Sequence, residues 1–355
     1  MEQKKVTVAM SGGVDSAAAA LLLQNAGYAV TGVTLRLHAY KDRPGTCGAA
    51  DDIADARRVA EALGFPHRVL DYCDLFRRQV MDRFVAAYCG GETPNPCLDC
   101  NRAIKFGALW DTARAEGADY FATGHYARVG QDAVTGRSLL LRGRDRRKDQ
   151  SYVLYQLSQD QLSHLLLPVG EYDKPAVRRM AESRGLINAA KPDSQDICFV
   201  PDGDYVSFLQ SYGGVALQPG DFVDEAGHVL GRHRGLVCYT TGQRKGLGIS
   251  ADSPLYVLRK DEASGTVVLG PESALYSETL VAEGLNWISI PALTAPLTVT
   301  AKTRYSQKEA EAVVEPLDGD GVLVRFAEPQ RAITPGQAVV FYDGESVVGG
   351  GTIRA

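Results

Sequence analysis

Two short stretches of this chain hold residue types that chemistry can use. Ser11-Gly12-Gly13-Val14-Asp15-Ser16 stands between an apolar run, Val6 to Met10, and a helical stretch, Val14 to Ala26. Paired glycines let a backbone approach a ligand closely, and the open N–H groups at a helix start attract an anion. The stretch is neither G-x-G-x-x-G nor G-x-x-x-x-G-K-S/T, because the lysine of the second pattern is missing. Its place between strand and helix favours a nucleotide phosphate over a capped glycine turn. The second stretch, Thr93-Pro94-Asn95-Pro96-Cys97-Leu98-Asp99-Cys100-Asn101, is stiffened by two prolines. It ends where a helix over Asn101 to Glu116 is expected, a position that stabilises a thiolate. Cys198 lies far off in Asp193-Ser194-Gln195-Asp196-Ile197-Cys198-Phe199. Facing Cys100 across a nucleotide cleft, it could carry a persulfide that resolves as a disulfide.

Other uses of these cysteines compete. Cys97-x-x-Cys100 could be half of a zinc site, but no second C-x-x-C or histidine pair completes the ligand set. A thioredoxin-type redox pair is a further alternative, although the chain opens with a phosphate loop instead. Cys47, Cys73, Cys89 and Cys238 read as buried structural thiols. A basic run, Arg142, Arg144, Arg146, Arg147 and Lys148, precedes Gln150-Ser151-Tyr152 and suits RNA phosphates beside a stacking group.

The elements that position these residues change character near Gly203. Before it, strand-like segments (Ala29 to Leu37, His67 to Tyr72, Ala118 to Thr123) alternate with helical ones (Ala49 to Leu63, Leu75 to Tyr88). That order implies an α/β domain with a doubly wound parallel sheet. After it, glycine and proline punctuate short apolar runs: Leu255 to Leu258, Thr266 to Leu269, Leu297 to Ala301, Gly321 to Phe326 and Ala338 to Tyr342. These predict a small, mostly β middle domain and a C-terminal β-barrel. The expected divisions are 1–203, 204–270 and 271–355. The Lys, Asp, Pro and Gly content of Ala39 to Cys47 predicts a segment that moves without substrate.

A chain of 355 residues is long enough for two or three cores. Its net charge of −5 argues against a non-specific nucleic-acid coat but leaves room for a local basic patch. Seven cysteines without a secretory signal argue against a disulfide framework. No apolar stretch is long enough to span a bilayer, so the expectation is a cytoplasmic protein with no membrane partner.

Thr93 to Gly107 resembles the tRNA-specific 2-thiouridylase family, whose members cleave ATP to AMP and pyrophosphate. So do the loop at 11–16, Ala122-Thr123-Gly124-His125-Tyr126-Ala127, Lys148 to Tyr152, Asp193 to Phe199, Tyr239 to Gly248, Arg304-Tyr305 and Pro335-Gly336-Gln337. The resemblance runs the length of the chain. It implies an ATP-pyrophosphatase domain followed by a tRNA-binding barrel, and 2-thiolation of the wobble uridine at position 34.

By the same resemblance, Ala9, Met10, Ser11, Gly12, Gly13, Val14, Asp15 and Ser16 hold the phosphates of ATP with Mg²⁺. Adenosine then lies near Leu35 and Gly124. Cys100 takes the nucleophile position and Cys198 the persulfide, while Asn95, Pro96 and Cys97 meet the target base. His125, Lys148, Asp149, Gln150, Arg304, Tyr305 and Gln337 contact tRNA. The implied partners are glutamate, glutamine and lysine tRNAs, with a cysteine desulfurase or relay protein as sulfur donor. Some relatives have an aspartate at Cys97, for which an acid–base role has been proposed; Asp99, two positions on, is not assumed to replace it. The cysteine there opens a second reading, with Cys97, Cys100 and Cys198 holding three irons of a [4Fe–4S] cluster.

Overall fold

The computed structural model describes residues 3–38, 50–192, 196–200 and 203–354. The expected mobile stretch Ala39 to Cys47 lies outside the described residues, as do Asp193, Ser194 and Gln195. The chain begins with β1 (Lys5–Ala9), α1 (Val14–Asn25), β2 (Ala29–Arg36), α2 (Ala50–Leu63) and β3 (His67–Asp71). A helix over 73–89 and another over 96–115 follow, each with a π-helical middle, Arg77–Met81 and Cys100–Leu109. Next come β4 (Tyr120–Ala122), the hairpin β5 (Ala127–Gln131) and β6 (Ser138–Arg142), β7 (Leu165–Leu166) and a helix over Lys174–Ser183.

The first sheet is parallel, in the order β3-β2-β1-β4-β7. Its two-residue period assigns each side chain to one of two cores. Phe121, Val33 and Leu35 face a core with Phe76, Phe84, Ile104 and Trp110 of the helices 73–89 and 96–115. Ala122, Val8 and Val30 face Ala17, Ala20, Val59 and Ala181, from α1, α2 and the helix Lys174–Ser183. Both faces are covered, as the alternating sequence predicted. The alanine run in α1 is explained by crowding. Ala17 and Ala20 meet the sheet side, and Ala18 and Ala19 meet Val169 and Val177.

The order reverses between β1 and β4, and a ligand crevice opens where neighbouring strands diverge at their carboxyl ends. Those ends lead into the Ser11–Gly13 loop and into Thr123-Gly124-His125. A middle sheet of β8 (Gly220–Val223), β9 (Val229–His233), β10 (Tyr256–Asp261) and β11 (Thr266–Gly270) has the order β10-β11-β8-β9. A terminal barrel is built from β12 (Tyr276–Trp287), β13 (Leu297–Lys302), β14 (Ala310–Pro316), β15 (Val322–Arg331), β16 (Ala338–Asp343) and β17 (Ser346–Ile353). Pairing of β12 with β17 closes it around Val299, Val314, Val324, Val339 and Phe341.

The sequence did not foretell the β5–β6 hairpin, which leaves the parallel sheet and joins the barrel at Ser346 opposite Leu141. Ion pairs fasten it: Arg128 and Arg146 to Glu345, and Arg142 to Glu309. The Arg142 guanidinium also lies 3.7 Å from the centre of the Tyr342 ring.

The helix 73–89 holds the aromatic nucleus of the first core. Phe84 touches Tyr88, Phe199 and Phe208 at ring distances of 4.9, 5.3 and 6.0 Å. Phe84→Ala therefore leaves a cavity bordered by three rings and costs about 3–5 kcal/mol. The expected observation is a lower urea midpoint for the N-terminal domain's transition; an unchanged midpoint would refute the assignment.

Candidate functional site

The floor of the crevice depends on two close backbone approaches. Gly12 has φ +75°, and a Cβ there would lie 2.3 Å from the Asp52 carbonyl oxygen at the start of α2. A Cβ on Gly124 would lie 2.6 Å from the amide nitrogen of Ser16. Only glycine fits either place. Gly13 caps α1 and brings no side chain of its own to the first N–H groups of that helix, of which the Gly13 amide donates to the Ser11 hydroxyl at 3.4 Å. Within the loop, the Ser16 hydroxyl donates to the Gly13 carbonyl at 3.1 Å and accepts from the Ser11 amide at 3.1 Å.

Above this floor lies a cavity of about 490 Å³. Ala9, Met10, Ser11, Gly13, Val14, Asp15 and Ser16 line it, with Leu35 and Gly124. Gly12 sits behind the loop, where its carbonyl accepts from Asn188 Nδ2 at 3.1 Å. His125, Lys148, Gln150 and Tyr305 line the same space, so expected nucleotide and RNA residues share one cavity. Tyr305 is the barrel's contribution. It is 41% exposed, and its ring lies 5.9 Å from that of Tyr152. Burial of the remainder, the Asp149 carboxylate and Cys97 push its phenol up. His125 is buried, with Nδ1 2.7 Å from the Thr123 hydroxyl. Burial, reinforced by the charge of Lys105, holds its imidazole well below the ordinary value and therefore neutral.

Sequence reasoning missed several wall residues. Lys174 grips both Asp15 oxygens, at 2.7 and 2.8 Å, and Tyr126 donates to the same carboxylate at 2.7 Å. Lys191 contacts Asp52 and Asp55, each at 2.6 Å. Asp173-Lys174-Pro175 carried a usable signal, an N-cap aspartate with proline in the first turn. Lys191 carried none beyond the proline that follows it.

The thiol segment differs from expectation in its helix start. Asn95 is the cap, accepting from the Cys97 amide at 3.1 Å, and Pro96 opens the helix. Cys97 therefore occupies the first turn and is exposed, while partly buried Cys100 lies beyond that turn. The helix-start effect fades within one turn, so Cys97 feels it more than Cys100. Cys198 is partly buried too. Its neighbour Phe199 packs on Phe84, while Arg83 lies 3.3 Å from Asp99, the neighbour of Cys100. Adjacent residues of one helix thus hold the chain beside both thiols. Among the described residues no three His, Cys, Asp or Glu side chains are gathered to hold a metal.

Other expected residues turn inward. Asp149 is buried and accepts from the Gly143 and Ser151 amides and the Ser151 hydroxyl. Arg304 donates to the carbonyls of Thr241 and Ala332 and to Thr334. Gln337 donates to the Thr93 carbonyl at 2.5 Å, and the Thr93 amide to the Pro335 carbonyl at 3.0 Å. The last two residues brace the thiol segment and middle domain against the barrel. The basic run divides: Arg142 is buried in the hairpin joint, while exposed Arg144, Arg146 and Arg147 pair with Glu171, Glu345 and Asp145. Arg147 and Lys148 are the members that line the cavity. Of the cysteines read as buried, Cys238 is buried and Cys73 partly so, while Cys89, in a last helical turn, is exposed. Cys47 lies outside the described residues.

Residues 4–202 match the family described as tRNA methyl transferase HUP domain, 206–271 its PRC-barrel domain and 277–353 the aminomethyltransferase beta-barrel domain. A solved 4-thiouridine synthetase–RNA complex with bound ATP aligns at TM-score 0.39 and 19% identity, over 58% of this chain and 50% of that one. The tRNA-specific 2-thiouridylase MnmA of Desulfitobacterium hafniense is 52% identical over 99% of this chain and 98% of its own length. That of Acetivibrio thermocellus is 49% identical over the whole of both chains. The domain descriptions name a methyl transferase, but identity near one half from end to end decides between the labels. The chain belongs to the tRNA-specific 2-thiouridylase family.

Proposed function

We propose that this protein replaces O2 of the wobble uridine, position 34, of tRNA with sulfur, consuming ATP supplied as its Mg²⁺ complex. The observation that carries the reading is the single cavity joining the loop at 11–16 to His125, Gln150 and Tyr305. A nucleotide on the loop and a base turned out of the anticodon stack would meet there. The uridine O2 attacks the α-phosphorus, and pyrophosphate leaves toward the N–H groups at the start of α1. The terminal sulfur of a Cys198 persulfide then attacks carbon 2, and AMP departs with the oxygen. The Cys100 thiolate attacks Cys198 Sγ, which breaks the S–S bond, frees 2-thiouridine and leaves a Cys100–Cys198 disulfide. A cellular dithiol reductant resets the pair, and a cysteine desulfurase or relay protein reloads Cys198. We assign glutamate, glutamine and lysine tRNAs as substrates and the cytoplasm as the place of action. Among the described residues no helix is long and apolar enough to cross a membrane.

Nucleoside mass spectrometry tests the reading. Unmodified tRNA, ATP, Mg²⁺ and a persulfide donor should yield 2-thiouridine at position 34 with wild type, and none with Cys198→Ser or Cys100→Ser. Thiolation that survives loss of Cys198 would overturn the assignment.

Arg147, paired with Asp145 at 3.4 Å but with its side chain 83% exposed and lining the cavity, is the best-placed phosphate contact of the basic run. Arg147→Ala should weaken tRNA binding and lower the slope of log K against log salt by about 0.7–0.9, the loss of one contact. An unchanged slope in a filter-binding titration contradicts this.

With Nδ1 on the Thr123 hydroxyl, Nε2 of a neutral His125 is left to donate to or accept from a base edge, according to its tautomer. Its lowered pKa also sets a pH dependence. Below the ordinary value of 6.5 the unfolded chain binds a proton that the folded one refuses. The contribution is therefore complete above that pH and lost as the pH falls below it. Between pH 7.5 and 5.5, the urea midpoint of wild type should fall further than that of His125→Asn. Equal falls would show that His125 titrates normally.

A further inference from the structure

The phosphate loop lacks the lysine that the G-x-x-x-x-G-K-S/T pattern supplies. Lysines reach the cavity from elsewhere, and they differ in commitment. Lys174 is 7% exposed, with both Asp15 oxygens on its ammonium, which makes it part of the frame. Lys191 is different. Its side chain is 23% exposed, and it borders both the main cavity and a shallower, more open one of about 400 Å³ on the far side of the 188–191 turn. That turn is held by the Lys191 amide donating to the Asn188 carbonyl, while the Asn188 side chain is bonded to the Gly12 carbonyl. The lysine therefore rides on a segment anchored to the back of the phosphate loop.

Its counter-ions matter as much. One ammonium serves two carboxylates, Asp52 and Asp55, which are 7% and 15% exposed. Asp52 also lines the cavity, and its backbone presses on Gly12. Burial works against the charge on Lys191, but the two carboxylates outweigh it and the ammonium stays charged. Without that ammonium, two poorly solvated anions would stand beside the place assigned to a polyphosphate.

Building on the nucleotide reading above, we propose that Lys191 binds the β- and γ-phosphates of ATP. It bridges them to Asp52 and Asp55 and retains the pyrophosphate as it leaves. The ammonium has three donors, and two are spent on the aspartates. The third faces the phosphate. Lys191 thus supplies from late in the domain what the loop itself omits, and it screens the Asp52–Asp55 pair from the ligand.

Calorimetric titration of the full chain with ATP and, separately, AMP tests this, because AMP lacks the phosphates in question. Lys191→Met should weaken ATP binding roughly ten- to a hundredfold and leave AMP within about twofold of wild type. The AMP arm also reports that the variant is folded. Lys191→Arg should keep most of the ATP affinity. Adding Asp52→Asn to Lys191→Met should recover part of the loss, because it removes the anion left unscreened. Equal weakening of ATP and AMP, unchanged ATP affinity in Lys191→Met, or no recovery in the double variant each overturns the proposal. If wild type fails to bind ATP, the nucleotide reading falls and takes this one with it. If wild type binds ATP and only the variants disagree, the subsite alone is removed.

Discussion

Asp15 carries the junction on which the site depends. Its carboxylate receives the Lys174 ammonium on both oxygens and the Tyr126 hydroxyl on one. Through it, α1, the segment leaving β4 and the helix Lys174–Ser183 are tied at one point. Loss of one partner from a fully buried ion pair costs about 3–5 kcal/mol, and less here because the Asp15 side chain is 31% exposed. The geometric effect is larger than the energetic one. Gly124 and Gly12 permit close contact on either side of the loop, and the Asp15 junction keeps those contacts in register. The open N–H groups of α1 then point into a cavity of fixed shape.

Around that fixed floor, the remaining walls come from different parts of the chain. His125 and Lys105 come from the α/β domain, and Tyr305 comes from the barrel. Gln337 and Pro335 of the barrel hold Thr93, three residues before the helix that carries Cys97 and Cys100. The barrel therefore braces the thiol segment as well as lending a side chain to the cavity. Inward-turned Arg304 and Gln337 follow from this arrangement, since a joint between domains needs donors as much as an RNA surface does.

Features set by local chemistry were legible in the sequence. The glycine pair before an alanine-rich helix, the alternation of strands with helices and the proline-stiffened thiol segment each depend on neighbours a few residues away. The misreadings share the opposite cause. Ala127 to Arg142 sits inside the α/β region, and nothing nearby says that its partner strand begins at Ser346. Arg142 read as an RNA contact for the same reason, because Glu309 and Tyr342 are distant in sequence. Lys174 and Lys191 belong to no motif and become visible only when Asp15, Asp52 and Asp55 are placed beside them. The start of the thiol helix was misplaced because Pro94 and Pro96 read as loop, whereas Pro96 occupies the first helical position, where its missing N–H does no harm.

The pairing of Leu141 with Ser346 also has a consequence during synthesis. The two strands are separated by about two hundred residues, and a ribosome adds roughly 5–20 residues each second. The hairpin therefore waits on the order of ten to forty seconds for its partner, with Arg128, Arg142 and Arg146 deprived of their carboxylates and one strand edge open. A nascent chain at that stage carries a basic β-ribbon whose open edge is a template for pairing with another chain.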